Sequence, residues 1–492
     1  MIPRSGGLHV QLGRYARSYH PAADDPPDRS DRSDRSPGAG LLSACATSGG
    51  SAPAASAAPS AGGAVSAANP FGVVANAPLE VVIFKGGLGD SYATEVHEPL
   101  YKKAFPQAQV KHVATQKIAQ TLQPRFAGGD VPDMIANSGS DNIDNGALQQ
   151  EGQLMDLTEL WDAPSIDDPS KKVRDTVAPG TVESGLISGK PYLLNYVLSG
   201  YGLWYDSALF EKNGWTPPKT FEEFKAFCET AKAAGIVPFA YAGQNASYYA
   251  YWMILISAAK IEGNQFLIDV DNLVDGVWKR DSIKQSAAAW AEIGNKYMDK
   301  SFEGLIHTDV QTRQNQGKIA LYPSGSWLEN EQKSQTPAEF KYALTPTPSV
   351  TAADKMPFEA IRTTAGEAYI VPSKAKNPRG GLEYLRIMLS KEGAKGFTET
   401  SKNMTVVTGA ADGLALSPGN ASLTAVQAAA GSNVITYSSF ENWYKEFETE
   451  LRKQTNALMF GRISADEFCD KMQKAADKTK ADSSITKQNR TV

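Results

Sequence analysis

The chain has 492 residues, 41% of them hydrophobic and 21% charged, which excludes a disordered, collagenous or disulfide-stapled protein and points to roughly two to four compact units. Lys and Arg number 49 against 54 Asp and Glu, a net charge of −5, so there is no basic excess to neutralise phosphates and nucleic acid is not an expected partner. No apolar run reaches the roughly 18 residues of a membrane-spanning helix. Cys45, Cys228 and Cys469 lie too far apart to build a zinc site, so no metal is expected, and no cofactor.

In chain order, residues 1–44 contain Asp28-Arg29-Ser30-Asp31-Arg32-Ser33-Asp34-Arg35-Ser36, a charged repeat where an export signal needs about 7–15 apolar residues. Leu41-Leu42-Ser43-Ala44-Cys45 nevertheless resembles a bacterial lipobox, whose cysteine receives a diacylglycerol. The expectation is a start codon or frame set wrongly upstream of Gly38, a disordered and poorly formed export segment over 1–44, and a lipid anchor on Cys45. From Ala46 to Asn69, Ala, Ser, Gly and Pro fill 21 of 24 positions. That composition cannot bury a core, so 45–77 is expected to be a flexible tether.

Leu79–Phe84 reads as a strand stopped by Lys85-Gly86-Gly87-Leu88-Gly89-Asp90, followed by a helix over Ser91–Phe105. Val110–Val113 reads as a second strand, Gln116–Phe126 as a helix, and Pro132–Ala136 as a third strand running into Asn137-Ser138-Gly139-Ser140. Such alternation implies a parallel sheet covered by helices. The glycine spacing is not G-x-G-x-x-G, so a dinucleotide is not expected, but both loops follow strand carboxyl ends, where α/β sheets form ligand crevices.

Tyr201–Tyr205 reads as a further strand, and Thr220 with Glu223 as a capping box opening a helix that carries Phe221, Phe224, Cys228 and Ala231 on one face, with Gly235 at its end. Cys228 and Cys469 each read as a small buried hydrophobe, or as partners in one disulfide. Aromatic clusters follow at Tyr248, Tyr249, Tyr251 and Trp252, at Tyr322 and Trp327, and at Trp443 and Tyr444. Rings with polar handles suit a ligand having an apolar C–H face and a rim of hydroxyls. Trp252 and Trp443 fall within helical periodicity and serve either core or cleft, whereas Trp327, after a Ser-Gly-Ser turn, is expected at a cleft.

Five segments in order carry a family resemblance: Phe126-Ala127-Gly128-Gly129-Asp130-Val131-Pro132-Asp133; Gly189-Lys190-Pro191-Tyr192; Leu203-Trp204-Tyr205-Asp206 with Leu209 to Gly214; Pro217 to Phe224; and Gln316-Gly317-Lys318-Ile319-Ala320 leading to Trp327. Over about Pro78 to Ser484 the chain resembles the family 1 extracellular solute-binding proteins of ABC sugar importers, the maltose-binding type. Gly86 to Asp90, Tyr322 to Glu331, Pro378 to Gly381 and Leu458 to Arg462 resemble the branch that binds N-acetylglucosamine and N,N′-diacetylchitobiose. The resemblance implies an α/β, two-lobed periplasmic-binding-protein-like fold with the ligand cleft between lobes joined by crossing strands. The crossings are placed near Asn195–Tyr201, Thr364–Val371 and Thr405–Gly409. Lobe one would be 78–195 plus 366–407 and lobe two 196–365 plus 408–484, with 485–492 a tail. It further implies a monomeric, non-enzymatic receptor held on the outer face of the membrane by its lipid alone, which passes an amino-sugar mono- or disaccharide to an ABC permease.

Within that reading, Trp327 matches the position that stacks on sugar. Gly87 belongs to the branch-like glycine loop. Asn137 and Ser138 can donate to hydroxyl or acetamido oxygens, and Asp90 can accept from hydroxyl or amide donors. Arg362 and Glu367 flank the return crossing and face either the cleft or a surface ion pair; Tyr248, Tyr249 and Asn403 are chosen on position alone. Two other readings share the sequence. A glycoside hydrolase needs two carboxylates about 5–10 Å apart, for which Asp130/Asp133 and Glu222/Glu223 are the candidates, and a sugar sensor for another oligosaccharide shares the fold.

Overall fold

The computed structural model describes residues 62–491. The export segment, the anchor Cys45 and the tether as far as residue 61 lie outside the described residues. Order begins before Pro78. The Asn69 side chain donates to the carbonyls of Ala64 and Val73 and accepts from the amide of Val73, while Phe71 and Val73 are buried in an apolar cluster with Leu79 and Tyr101. Small residues dominate the composition of this stretch, but two large side chains with a core to enter are enough to fix it.

Strand β1 (Leu79–Phe84) pairs in parallel with β2 (Val110–Thr115) and β3 (Met134–Ala136). Val81, Val82 and Ile83 are all fully buried, the mark of a parallel sheet covered on both faces. The helix expected over Ser91–Phe105 is divided into a π-helical turn, Ala93–His97, and an α-helix, Glu98–Ala104. Pro99 has no N–H to complete the preceding α-helical register, so the register changes there.

A small hairpin, β4 (Leu186–Ile187) with β5 (Lys190–Pro191), precedes the long strand β6 (Leu194–Asp206). The other strands are β7 (Val237–Phe239), β8 (Ile319–Ser324), β9 (Tyr342–Thr345), β10 (Ile361–Ile370), β11 (Met404–Thr405) and β12 (Val434–Ile435). Together they give a 10-stranded sheet ordered β2-β1-β3-β10-β6-β8-β7, with β9 and β11 on β6 and β12 on β10. The first half of β6 runs antiparallel to β10, from Leu194 opposite Tyr369 to Tyr201 opposite Arg362. From Gly202 onward it pairs instead with β8 and β9. A Cβ on Gly202 would lie 2.5 Å from the carbonyl oxygen of Thr345, so glycine is required where the strand changes partners.

In the helix Phe221–Ala233 the cap is displaced by one residue from the expected box. Thr220 Oγ1 accepts from the Glu223 amide, but the Glu223 carboxylate accepts from Lys219 rather than Thr220. Cys228 and Cys469 are both free and buried, which selects the hydrophobe reading over the disulfide. Trp252 is fully buried and Trp443 nearly so, its indole N–H donating to Leu186 O at 3.0 Å.

Residues 485–491 do not hang free as a tail. Arg490 Nη1 lies 2.8 Å from Asp271 Oδ2, with both side chains almost wholly excluded from solvent. Asp271 Oδ1 also accepts from the amides of Ser439 and Phe440 at 2.9 Å each, and Arg490 donates to the Tyr437 carbonyl. The chain end thus ties down the loop around Tyr437–Phe440. Arg490→Met leaves a buried carboxylate uncompensated and is expected to lower stability by about 3–5 kcal/mol in denaturant unfolding. Burial already pushes the Asp271 carboxyl up against the pull of Arg490. Losing Arg490 raises it further, so the deficit should grow with rising pH and shrink as the buffer is acidified.

Candidate functional site

A cavity of about 690 Å³ lies against β6 and β10, within the usual range for small-molecule sites. Its position follows from strand periodicity. Asn195, Val197, Ser199 and Tyr201 alternate along β6, and Arg362, Thr364, Gly366 and Ala368 along β10, so one face of the antiparallel pair forms the floor. The loops after β1 and β3 supply Gly86–Gly89 and Asn137–Ser140, as expected of strand carboxyl ends. Tyr248, Trp327 and a segment from Tyr437 to Arg452 complete the walls.

Trp327 is half-buried and held from three sides. Its indole N–H donates to Tyr249 Oη at 3.0 Å, the Tyr201 ring meets it edge-on with centroids 5.3 Å apart, and the glycine loop closes over it. Asn330 Nδ2 donates to the Gly87 carbonyl at 2.5 Å. A Cβ on Gly87 would stand 3.1 Å from both Trp327 Cδ1 and Glu331 Oε1, so a side chain there would press on the tryptophan. Glu331, also on the wall, accepts from His307 Nε2 and Gln311 Nε2.

Six of the residues singled out from sequence border the cavity together with Trp327: Gly87, Asn137, Ser138, Tyr248, Arg362 and Glu367. Asn137 is a scaffold there, since its amide is spent on Ile143 and Asn145. Three others lie elsewhere. Tyr249 is buried behind Trp327 and positions it; Asp90 pairs with Lys85 and His112; Asn403 is fully buried, its amide donating to Ser401 O. Sequence reasoning missed the acidic and basic groups of the last wall, Glu441, Lys445, Glu448 and Arg452. They sit far in sequence from the lining residues of β6, β10 and the glycine loop, and only the helix Lys445–Met459 and the short helix before it carry them here.

This wall is charged yet largely internally balanced. Arg452 pairs with Glu448 while its guanidinium lies 4.8 Å from the Tyr248 ring centre. Glu441 accepts from the Tyr251 hydroxyl and from Trp252 Nε1; burial pushes its carboxyl up and Arg362 draws it back down. Among the described residues no three His, Cys, Asp or Glu side chains cluster as metal ligands, and no helix is long and apolar enough to cross a membrane.

Residues 87–395 match the family of bacterial extracellular solute-binding proteins. The chain belongs to that family. It is 38% identical over 434 residues to the diacetylchitobiose binding protein NgcE of Streptomyces coelicolor, spanning 86% of this chain and 90% of that one. Among solved structures, apo RafE from Streptococcus pneumoniae superposes with a TM-score of 0.61 at 20% identity, covering 83% of this chain and 99% of RafE. A chitin oligosaccharide binding protein superposes at 0.63 with 18% identity, covering 78% of this chain and 93% of its own. The fold is therefore the two-lobed α/β fold expected, and the chain is a solute-binding protein, not an enzyme.

In this solute-binding protein Glu367 has the least ordinary setting. Its backbone φ is +58° in the middle of β10, between the paired residues Gly366 and Ala368. That conformation costs a non-glycine residue of order 1–3 kcal/mol and survives only because the flanking pairs impose it. Burial pushes its carboxyl up to about 8, with a Ser138 bond pulling the other way, so at neutral pH it is largely a neutral acid that can donate as well as accept. The folded value is raised above the unfolded one, so the stability it contributes is full below about pH 4.5 and lost as pH rises toward about 8. Glu367→Gln removes that dependence. Thermal melts should show the variant gaining at least about 2 °C on the parent between pH 5 and pH 8; parallel curves would remove Glu367 from this role.

Proposed function

We propose that the protein captures N-acetylglucosamine or N,N′-diacetylchitobiose between its two lobes and delivers it to the permease subunits of an ABC importer. The observation that carries this reading is the 38% identity to a diacetylchitobiose binding protein across nearly the whole of both chains. The cavity chemistry supports it. Trp327 offers an apolar ring for the C–H face of a pyranose, Tyr248 and Tyr201 add aromatic wall, and Ser138, Arg362 and Glu367 offer polar groups to the rim.

In this reading the lobes are 78–195 with 366–407 and 196–365 with 408–484, swinging about β6 and β10 to enclose the sugar. Phe71 and Val73, buried in an apolar cluster with Leu79 and Tyr101, are assigned to the first. The protein works as a monomer on the outer face of the membrane, held there by a lipid on Cys45.

Isothermal titration with N-acetylglucosamine, diacetylchitobiose and maltose tests the proposal. Submicromolar binding of an acetamido sugar, about −8 kcal/mol or better, with no cleavage on thin-layer chromatography afterwards, is the expected result. Preference for maltose would keep the importer and discard the amino sugar; silence toward all three would discard both. Trp327→Ala should weaken binding of the preferred sugar at least about tenfold, the loss of one stacking partner, with its melting transition in the absence of sugar intact. Unchanged affinity would take Trp327 out of the site.

A further inference from the structure

Arg362 is buried in a way that packing alone does not account for. Only 3% of the residue is exposed. Its guanidinium carbon lies 3.5 Å from the centre of the Trp252 ring and 4.6 Å from that of Tyr201. A ring set against a guanidinium takes none of its N–H bonds, which lie in the plane and need acceptors of their own. Nε and Nη1 find none among the described residues. Arg452 and Arg490 are ion-paired with carboxylates, whereas among the described residues Arg362 has no carboxylate within ion-pair distance, although the Glu441 carboxylate lies near enough to attract it. Its neighbour Glu441 spends Oε1 on the Tyr251 hydroxyl and the Trp252 indole.

A guanidinium cannot escape by losing its proton, and a buried donor without a partner is costly. Arg362, unlike the buried and unpartnered indoles of Trp161 and Trp278, borders the cavity, so a ligand there can supply the missing acceptor. Its chemistry can be narrowed. A ligand ammonium placed against Arg362 would meet a like charge, Arg452 being already paired with Glu448. A ligand carboxylate would enter beside Glu441, Glu448 and Glu331, all of which border the same cavity. A neutral acceptor with no proton of its own to place satisfies the donors without adding charge to the cavity.

We infer that Arg362 is the specificity-determining residue of the site, reading the carbonyl oxygen of an acetamido group and so separating N-acetylated sugars from their deacetylated and plain hydroxyl counterparts. This rests on the amino-sugar reading above and adds to it the residue that enforces it. A pocket whose buried donors go unpaired with the wrong ligand discriminates far more strongly than an apolar pocket that misses a methylene.

The test compares affinities of the full chain and of Arg362→Met for diacetylchitobiose, the glucosamine disaccharide, cellobiose and a uronic-acid disaccharide. The parent should prefer the acetylated sugar by at least about 100-fold. In the methionine variant that preference should collapse at least about tenfold through loss of diacetylchitobiose affinity, with cellobiose affinity little changed. Arg362→Gln, which keeps a planar amide against the rings, is measured alongside; it decides the matter if the methionine variant does not melt like the parent. Its preference should also fall. A preserved preference in a folded variant would overturn the inference while leaving the sugar receptor intact, as would tighter binding of the uronic acid by the parent. If the parent binds cellobiose but no acetamido sugar, the amino-sugar reading itself falls.

Discussion

The structure depends on one strand that serves two sets of partners. Leu194 to Tyr201 of β6 pair with β10, and from Gly202 the same strand continues into pairing with β8 and β9. A strand can do this only if its backbone passes close to the incoming β9 carbonyls, which is why Gly202 has no room for a side chain. The consequence for the site is direct. The paired stretch of β6 and β10 is a short antiparallel ribbon, and every second residue on one face of it is delivered to the cavity.

The walls above that floor are held by bonds between segments distant in sequence. Asn330 reaches the Gly87 carbonyl, Tyr249 fixes the Trp327 indole, and Asn145 links Asn137 to Asn442. Asn330, Trp327, Asn137 and Asn442 border the cavity, and Tyr249 and Asn145 hold them from behind. A half-buried tryptophan gripped by a hydrogen bond, an edge-on tyrosine and a glycine loop loses little rotamer freedom when a ligand arrives, which lowers the entropic cost of binding.

Charge is handled differently in the frame and in the cavity. In the frame, Asp271 and Arg490 are paired and hydrogen-bonded to completion, tying the end of the chain to the loop from Tyr437 to Phe440. In the cavity, polar atoms of Arg362 and Glu367 stay without partners among the described residues, and the latter sits on a backbone conformation that its own side chain disfavours. Unpaired polar groups and positive φ also occur in the frame, at Trp161, Trp278 and Tyr384 and at Leu273 and Lys402, but those of Arg362 and Glu367 border a cavity, where a ligand can compensate them.

The sequence alone determined the family, because five local motifs in order fix it. It also determined the β1 to β3 alternation, since period and glycine punctuation are local properties, and Trp327 as a cavity residue, because a turn signal precedes it. It was wrong where local composition competes with burial: Phe71 and Val73 enter the core from the segment expected to be a tether, and residues 485–491 are held by Arg490 on Asp271 and by Gln488 on Tyr444 and Ser188. The tertiary structure alone decided that Asp90 is engaged by Lys85 and His112, that Tyr249 and Asn403 are buried out of reach, and that Glu441, Glu448 and Arg452 form a wall. Whether a polar side chain meets a ligand, a partner or the core is set by contacts across hundreds of residues, and no local pattern in the chain encodes them.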